Sequence, residues 1–194
     1  MRKKLAFILG LVLACFAATA LVQAQEKEKK KEKNKPEEYS AIALVTSGGA
    51  AGSMVQLSIR IDSLTSDEEA LQLARILKDQ GPDGLAKTLD KAQRGRIAPV
   101  GRVGNDINVA RAFQTEKGRL IRLVMNRSLG FVELRHGGRS TDYQFSVIEL
   151  LVNERGEGEG MALAAAKVRF NKENQLEVEN LGQSPIRITN VRRY

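Results

Sequence analysis

The chain holds one histidine, His136, so any catalytic triad or histidine metal site must pass through it. Around it runs His136-Gly137-Gly138-Arg139-Ser140-Thr141-Asp142-Tyr143, which supplies a guanidinium, hydroxyls, a carboxylate and a phenol in one short stretch. Nucleophile, base and orienting acid are all of the right type. Triads, however, are assembled across a fold, and nearness in sequence is not their geometry. The stretch reads first as a polar turn between two strands. His136, Arg139, Ser140, Asp142 and Tyr143 are its candidate ligand-binding residues, and no catalytic residue is assigned.

Three further patterns invite chemistry and fall short of it. Ser47-Gly48-Gly49-Ala50-Ala51-Gly52-Ser53 could turn backbone amides toward a phosphate, but it lacks the Gly-Lys-Ser/Thr ending and leads into a strand. Gly156-Glu157-Gly158-Glu159-Gly160 alternates carboxylate with glycine, which suits a hard cation. It lacks the acidic spacing of a calcium loop and reads as a hairpin tip. Glu133, Asp142 and Glu149 include no carboxylate pair whose separation the sequence fixes, as glycoside hydrolysis would require. Cys15 is the only cysteine, and a zinc site without thiols would draw nearly all its ligands from carboxylates. No metal or cofactor is expected, and an enzyme is the least favoured of the function classes.

The elements that would position these residues begin with a leader. Arg2, Lys3 and Lys4 precede an apolar run from Leu5 to Val22, and Val22-Gln23-Ala24 offers short residues to a signal peptidase, so residues 1–24 read as a signal peptide. The alternatives are an uncleaved membrane anchor over residues 5–22 and a lipid on Cys15, whose preceding Val12-Leu13-Ala14 resembles a lipoprotein box. Residues 25–38 are Glu, Lys, Asn, Gln and Pro with no apolar side chain, a charged flexible linker. The single domain is placed at residues 39–194. With Cys15 in the leader, that domain has no disulfide and must fold by core burial alone.

The net charge of +8 shrinks on inspection. The leader carries three positive charges and the linker six Lys against five Glu, which leaves +4 on the domain, with both signs interspersed. That is no nucleic-acid footprint, and the lack of tryptophan removes the broad ring that sugar-binding sites commonly stack upon. The expected partner is a small ligand or an envelope protein. Membrane contact is expected only if the leader is kept or Cys15 is lipidated.

Hydrophobic period then sets the fold class. Val55, Leu57, Ile59 and Ile61 alternate with Gln56, Ser58, Arg60 and Asp62, a strand with one wet face. At Ser66 the period changes: Ser66 and Glu69 form a capping box, and Ala70, Leu73, Ala74 and Leu77 fall on one stripe up to Gly81-Pro82. A second, weaker helix over Asp83–Gln93 completes a helical hairpin. The first strand is read over Tyr39–Thr46, and beyond Gly95 the pattern is β again, with strands near Arg96–Gly101, Phe131–Arg135, Tyr143–Asn153, Met161–Phe170, Gln175–Leu181 and Ile186–Arg193.

Two hairpins receive a register. Around a three-residue loop Glu116-Lys117-Gly118, Phe113 faces Ile121 and Val109 faces Met125. Around Lys172-Glu173-Asn174, Phe170 faces Leu176, Val168 faces Val178, Arg169 faces Glu177 and Lys167 faces Glu179. Ala162, Ala164, Ala165 and Ala166 are small enough to let the helical hairpin lie close on the sheet. The expected architecture is α+β, mainly antiparallel β: a barrel or strongly curved sheet of about nine or ten short strands with one inserted helical hairpin.

Gly138-Arg139-Ser140-Thr141-Asp142-Tyr143, Ala164-Ala165-Ala166-Lys167-Val168-Arg169-Phe170 and Asn190-Val191-Arg192 resemble a group of uncharacterised exported bacterial proteins. The resemblance runs from Tyr39 onward and implies one intact exported domain, in the periplasm or outside the cell. It brings no activity, ligand or site residue with it. The functional expectation is an exported, non-catalytic β domain that binds a small ligand in its barrel, with an envelope structural or protein-interaction module as the alternative.

Overall fold

Ten strands and one helix account for the computed structural model, which describes residues 35–45, 51–129, 143–171, 173, 175–180 and 184–194. In chain order they are β1 (Glu37–Leu44), β2 (Met54–Ile61), α1 (Asp67–Leu89), β3 (Gly95–Pro99), β4 (Asn105–Ile107), β5 (Val109–Thr115), β6 (Gly118–Met125), β7 (Phe145–Val152), β8 (Glu157–Phe170), β9 (Leu176–Asn180) and β10 (Ile186–Arg193). All pairings are antiparallel, in the spatial order β4-β3-β2-β1-β10-β8-β7-β6-β5, with β9 added to β8. Residues Pro36 to Tyr194 cluster as one compact unit.

The two ends of that order are one stretch of chain. β4 and β5 are divided only by Asn108, so the stretch leaves β3 on one edge and joins β6 on the other. The Asn108 N–H donates to Val124 O at 2.9 Å, which carries the stretch onto β6. A nearly closed barrel results. Asn108 also fastens the helix: its buried amide donates to Leu89 O and Ala92 O at 2.9 and 2.8 Å and accepts from the Asn126 N–H at 2.7 Å. Thr65 tightens the same seam by exchanging bonds with Ala110 of β5, at 2.7 and 3.1 Å.

Strand alternation sends one row of side chains inward. Ile59, Ile107, Ile121, Leu123, Met125, Ile148, Leu150 and Ile188 are wholly buried there, joined by Tyr39 and a set of alanines. Ala162, Ala164 and Ala165 belong to this inner cluster, and the helix lies close on β8, as the small residues there led one to expect. A bulge in β10 supports the curvature. Asn190 has φ 52°, a left-handed value that asparagine tolerates, and the registers with β1 and β8 both shift beside it.

The helix stands where its capping box placed it, with Ser66 and Glu69 bonded reciprocally. It consists of the two expected helical parts, joined directly at Gly81 and not through a loop. Gly81, at φ 70° and ψ −170°, breaks it without a loop, and Pro82 opens the second part, where its missing N–H costs nothing. Leu77, Leu85, Ala86 and Leu89 pack on Phe145 and Val168, forming a second, smaller core outside the barrel.

One hairpin matches its expected register and one is slipped. Phe170↔Leu176, Arg169↔Glu177, Val168↔Val178 and Lys167↔Glu179 pair as the charges and apolar side chains require. In the β5–β6 hairpin the loop has two residues, so Phe113 faces Leu120 and Val109 faces Val124. Matching large apolar residues with one another misled the reading. The inner row pairs Ala110 with Leu123 and Ala112 with Ile121, small against large, while Leu123 and Ile121 meet the large Ile148 and Leu150 on their other side. Phe113 lies on the outside, with the Arg111 and Arg122 guanidinium carbons 5.2 and 5.8 Å from its ring centre.

Candidate functional site

His136, Arg139, Ser140 and Asp142 lie outside the described residues, as do Glu133, residues 46–50 and the expected strand Phe131–Arg135. Of the five candidate ligand-binding residues, Tyr143 is described. Its hydroxyl donates to Glu179 Oε1 of β9 at 2.8 Å, and its ring packs against the barrel core. The Gly156–Gly160 stretch is no loose hairpin tip: Glu157 to Gly160 are the first residues of β8. Their alternation is that of a strand. Gly158 and Gly160 fall on the inward side, where a Cβ would collide with Leu151 O and Glu149 O of β7, and Glu159 points outward to Arg187 at 3.4 Å.

At the end of the barrel where β1 begins, three polar groups meet that sequence reading did not bring together. Arg119 of β6 donates both Nη atoms to the Glu37 carboxylate of β1, at 2.8 and 2.9 Å, and the Tyr39 hydroxyl adds a bond of 2.6 Å to Glu37. β1 and β6 are not neighbours in the sheet, so this clasp crosses the interior. Burial pushes the Glu37 pKa up, but the hydrogen bonds from Arg119 and Tyr39 outweigh it and hold the carboxyl below its usual range. The Tyr39 hydroxyl is pushed well up, by burial and then by its carboxylate partner. Arg119 moves up as well, chiefly through its bond to Glu37. Each group is driven deeper into its ordinary charge state, so none is poised to exchange a proton near neutrality. The clasp ties the barrel wall together and is not an acid–base centre. Its signal was present in the sequence: Glu37, Tyr39, Ala41 and Ala43 share one face at period two, but the acidic neighbourhood of Glu37 assigned it to the linker.

Among the described residues, the middle of the interior is filled. A void large enough for one water molecule beside Ile59, Leu123, Ile148, Leu150 or Ile188 would leave part of their surface accessible, and each shows 0 % exposure.

Uncovered apolar surface lies outside. Beyond the barrel, Lys167 to Phe170 of β8 pair with β9 alone among the described strands, forming a two-stranded ribbon. One face carries Phe170 and Val168 with Leu176 and Val178, the last two 55 % and 43 % exposed. Val168 and Phe170 pack toward Leu73 and Leu77 of α1, so this face continues the helix-side core into solvent. The opposite face carries Arg169, ion-paired with Glu177 at 3.1 Å and Glu179 at 3.7 Å. Such an arrangement can offer an apolar strip, charged side chains and backbone groups to a macromolecule, and it holds no reactive group. No family model, no curated protein and no solved structure matches the chain.

Proposed function

We propose that this is an exported, non-catalytic protein-interaction domain that works through its outer surface, centred on the β8–β9 ribbon, and not through its interior. The filled middle of the barrel carries this reading. Barrels that hold small ligands keep an internal cavity, and among the described residues fully buried side chains occupy the centre of that space. The half-exposed Leu176 and Val178 support it, because apolar side chains left uncovered beside an existing core are what an interface buries. The exported address rests on the basic start, apolar run and short cleavage-site residues of positions 1–24.

The test is site-specific photo-crosslinking in the cell that makes the protein, with the photoreactive residue at Leu176 or, as control, at the exposed Gln56 of β2. Discrete protein adducts from position 176 and none from position 56 are expected. Lack of any adduct at 176, together with a small molecule retained by the protein in native mass spectrometry, would overturn the reading in favour of ligand binding.

A further inference from the structure

The ribbon's backbone narrows the kind of partner, an inference that rests on the interaction reading above. The Asn171 N–H donates to Gln175 O at 2.9 Å where the two strands meet, and this sets the phase of the ladder. Hydrogen-bonded pairs alternate along an antiparallel ladder, so Arg169/Glu177 and Lys167/Glu179 are the bonded pairs. Leu176 and Val178 therefore turn their own N–H and C=O groups away from β8. Among the described residues no strand pairs with that outer edge of β9. An edge with free backbone groups and apolar side chains is a template for another strand.

Charge decides which strand. Cross-strand neighbours share a face, so a second copy of β9, laid alongside in either direction, would bring Glu177 and Glu179 against their own counterparts. Like charges directly opposite are destabilising. The glutamates thus protect the edge against self-association. Their side chains keep 47 % and 46 % exposure; Glu179 is shared between Arg169 and the Tyr143 hydroxyl, and Glu177, bonded by Arg169 at Oε2, is the one whose other oxygen faces a cation from the far side.

We propose that the outer edge of β9 accepts an extended segment of a partner protein in which apolar residues alternate with lysine or arginine. The apolar residues prolong the Phe170/Leu176 and Val168/Val178 rows, and the basic ones face Glu177 and Glu179.

The test uses the full folded chain and two synthetic heptapeptides, one alternating lysine with valine and threonine, the other with glutamate in place of lysine. Amide hydrogen exchange should show Leu176 and Val178 protected by the basic peptide and not by the acidic one. Val178→Pro removes an outward N–H without removing a bond to β8 and should weaken binding about tenfold, as loss of one hydrogen bond does. Glu177→Lys with Glu179→Lys should reverse the preference between the peptides. Equal binding by Val178→Pro, or a basic peptide that binds without protecting these amides, would overturn strand addition. A chain that crosslinks to protein through position 176 yet binds neither peptide would keep the interaction reading and lose the strand; a chain without crosslinks loses both.

Discussion

From Glu157 to Ala162 β8 is paired on both sides, and its inward positions are glycine or alanine. From Lys167 to Phe170 it is paired with β9 alone, and its side chains are large, charged or apolar. The same strand thus meets two different limits. Inside the barrel the scarce quantity is volume, and at Gly158 and Gly160 the β7 backbone leaves no room for a side chain. On the ribbon volume is free, and residues are selected by which face they join and which charge they meet. A polar group is handled differently in each setting: Arg119 inside must be matched at both Nη atoms by Glu37, whereas Arg169 outside shares itself between two half-exposed carboxylates.

If that contrast is right, substitutions should separate sharply. Leu123→Ala opens a hole in a filled wall and should destabilise by about 3 kcal/mol in urea unfolding, while Leu176→Ser on the ribbon should change stability by less than about 0.5 kcal/mol. Comparable losses from the two would show that the ribbon is part of the core. Arg119→Leu should follow closely, at about 2–3 kcal/mol, since it leaves the Glu37 carboxylate without its cation.

The same variant should change the acid response. Glu37 titrates lower folded than unfolded, so its stabilising share is complete above about pH 4.5 and is lost as pH falls through the depressed folded value. Without Arg119 the Glu37 pKa should rise, because burial is then opposed by Tyr39 and Arg193 alone, and this site should lose less stability on acidification. Unfolding curves from pH 3 to 7 read the change, and an unchanged slope would mean that the clasp contributes nothing. A smaller loss than either barrel substitution belongs to Arg169→Glu, which sets a third carboxylate beside Glu177 and Glu179 and should cost about 1 kcal/mol, sensitive to salt.

The same two limits explain how much could be read from the residues alone. The β8–β9 register was legible because Arg169 and Lys167 meet Glu177 and Glu179 in the one register that also joins Val168 to Val178. The β5–β6 register was not. It sets Ala110 and Ala112 beside Leu123 and Ile121 and Arg111 opposite Arg122, so neither size matching nor opposite charge marks it. Helix position followed from the Ser66–Glu69 box, but its continuation across Gly81 did not, because Gly-Pro usually ends a helix. Of the candidate site, Tyr143 alone falls among the described residues, and the clasp escaped notice because its partners lie 82 positions apart.

The pairing of β1 with β10, Tyr39 opposite Arg193, has a consequence for the order in which the molecule forms. The first and last strands of the domain are neighbours, so a chain threaded N-terminus first can complete the β1–β2 and β5–β6 hairpins locally but must hold one edge of β1 open until β10 has emerged. Contacts of such long sequence separation make closure slow. A chain stopped before Ile186 would be left as a curled sheet with β1 and β8 both unguarded, so the step from unfolded chain to closed barrel is timed by its last strand.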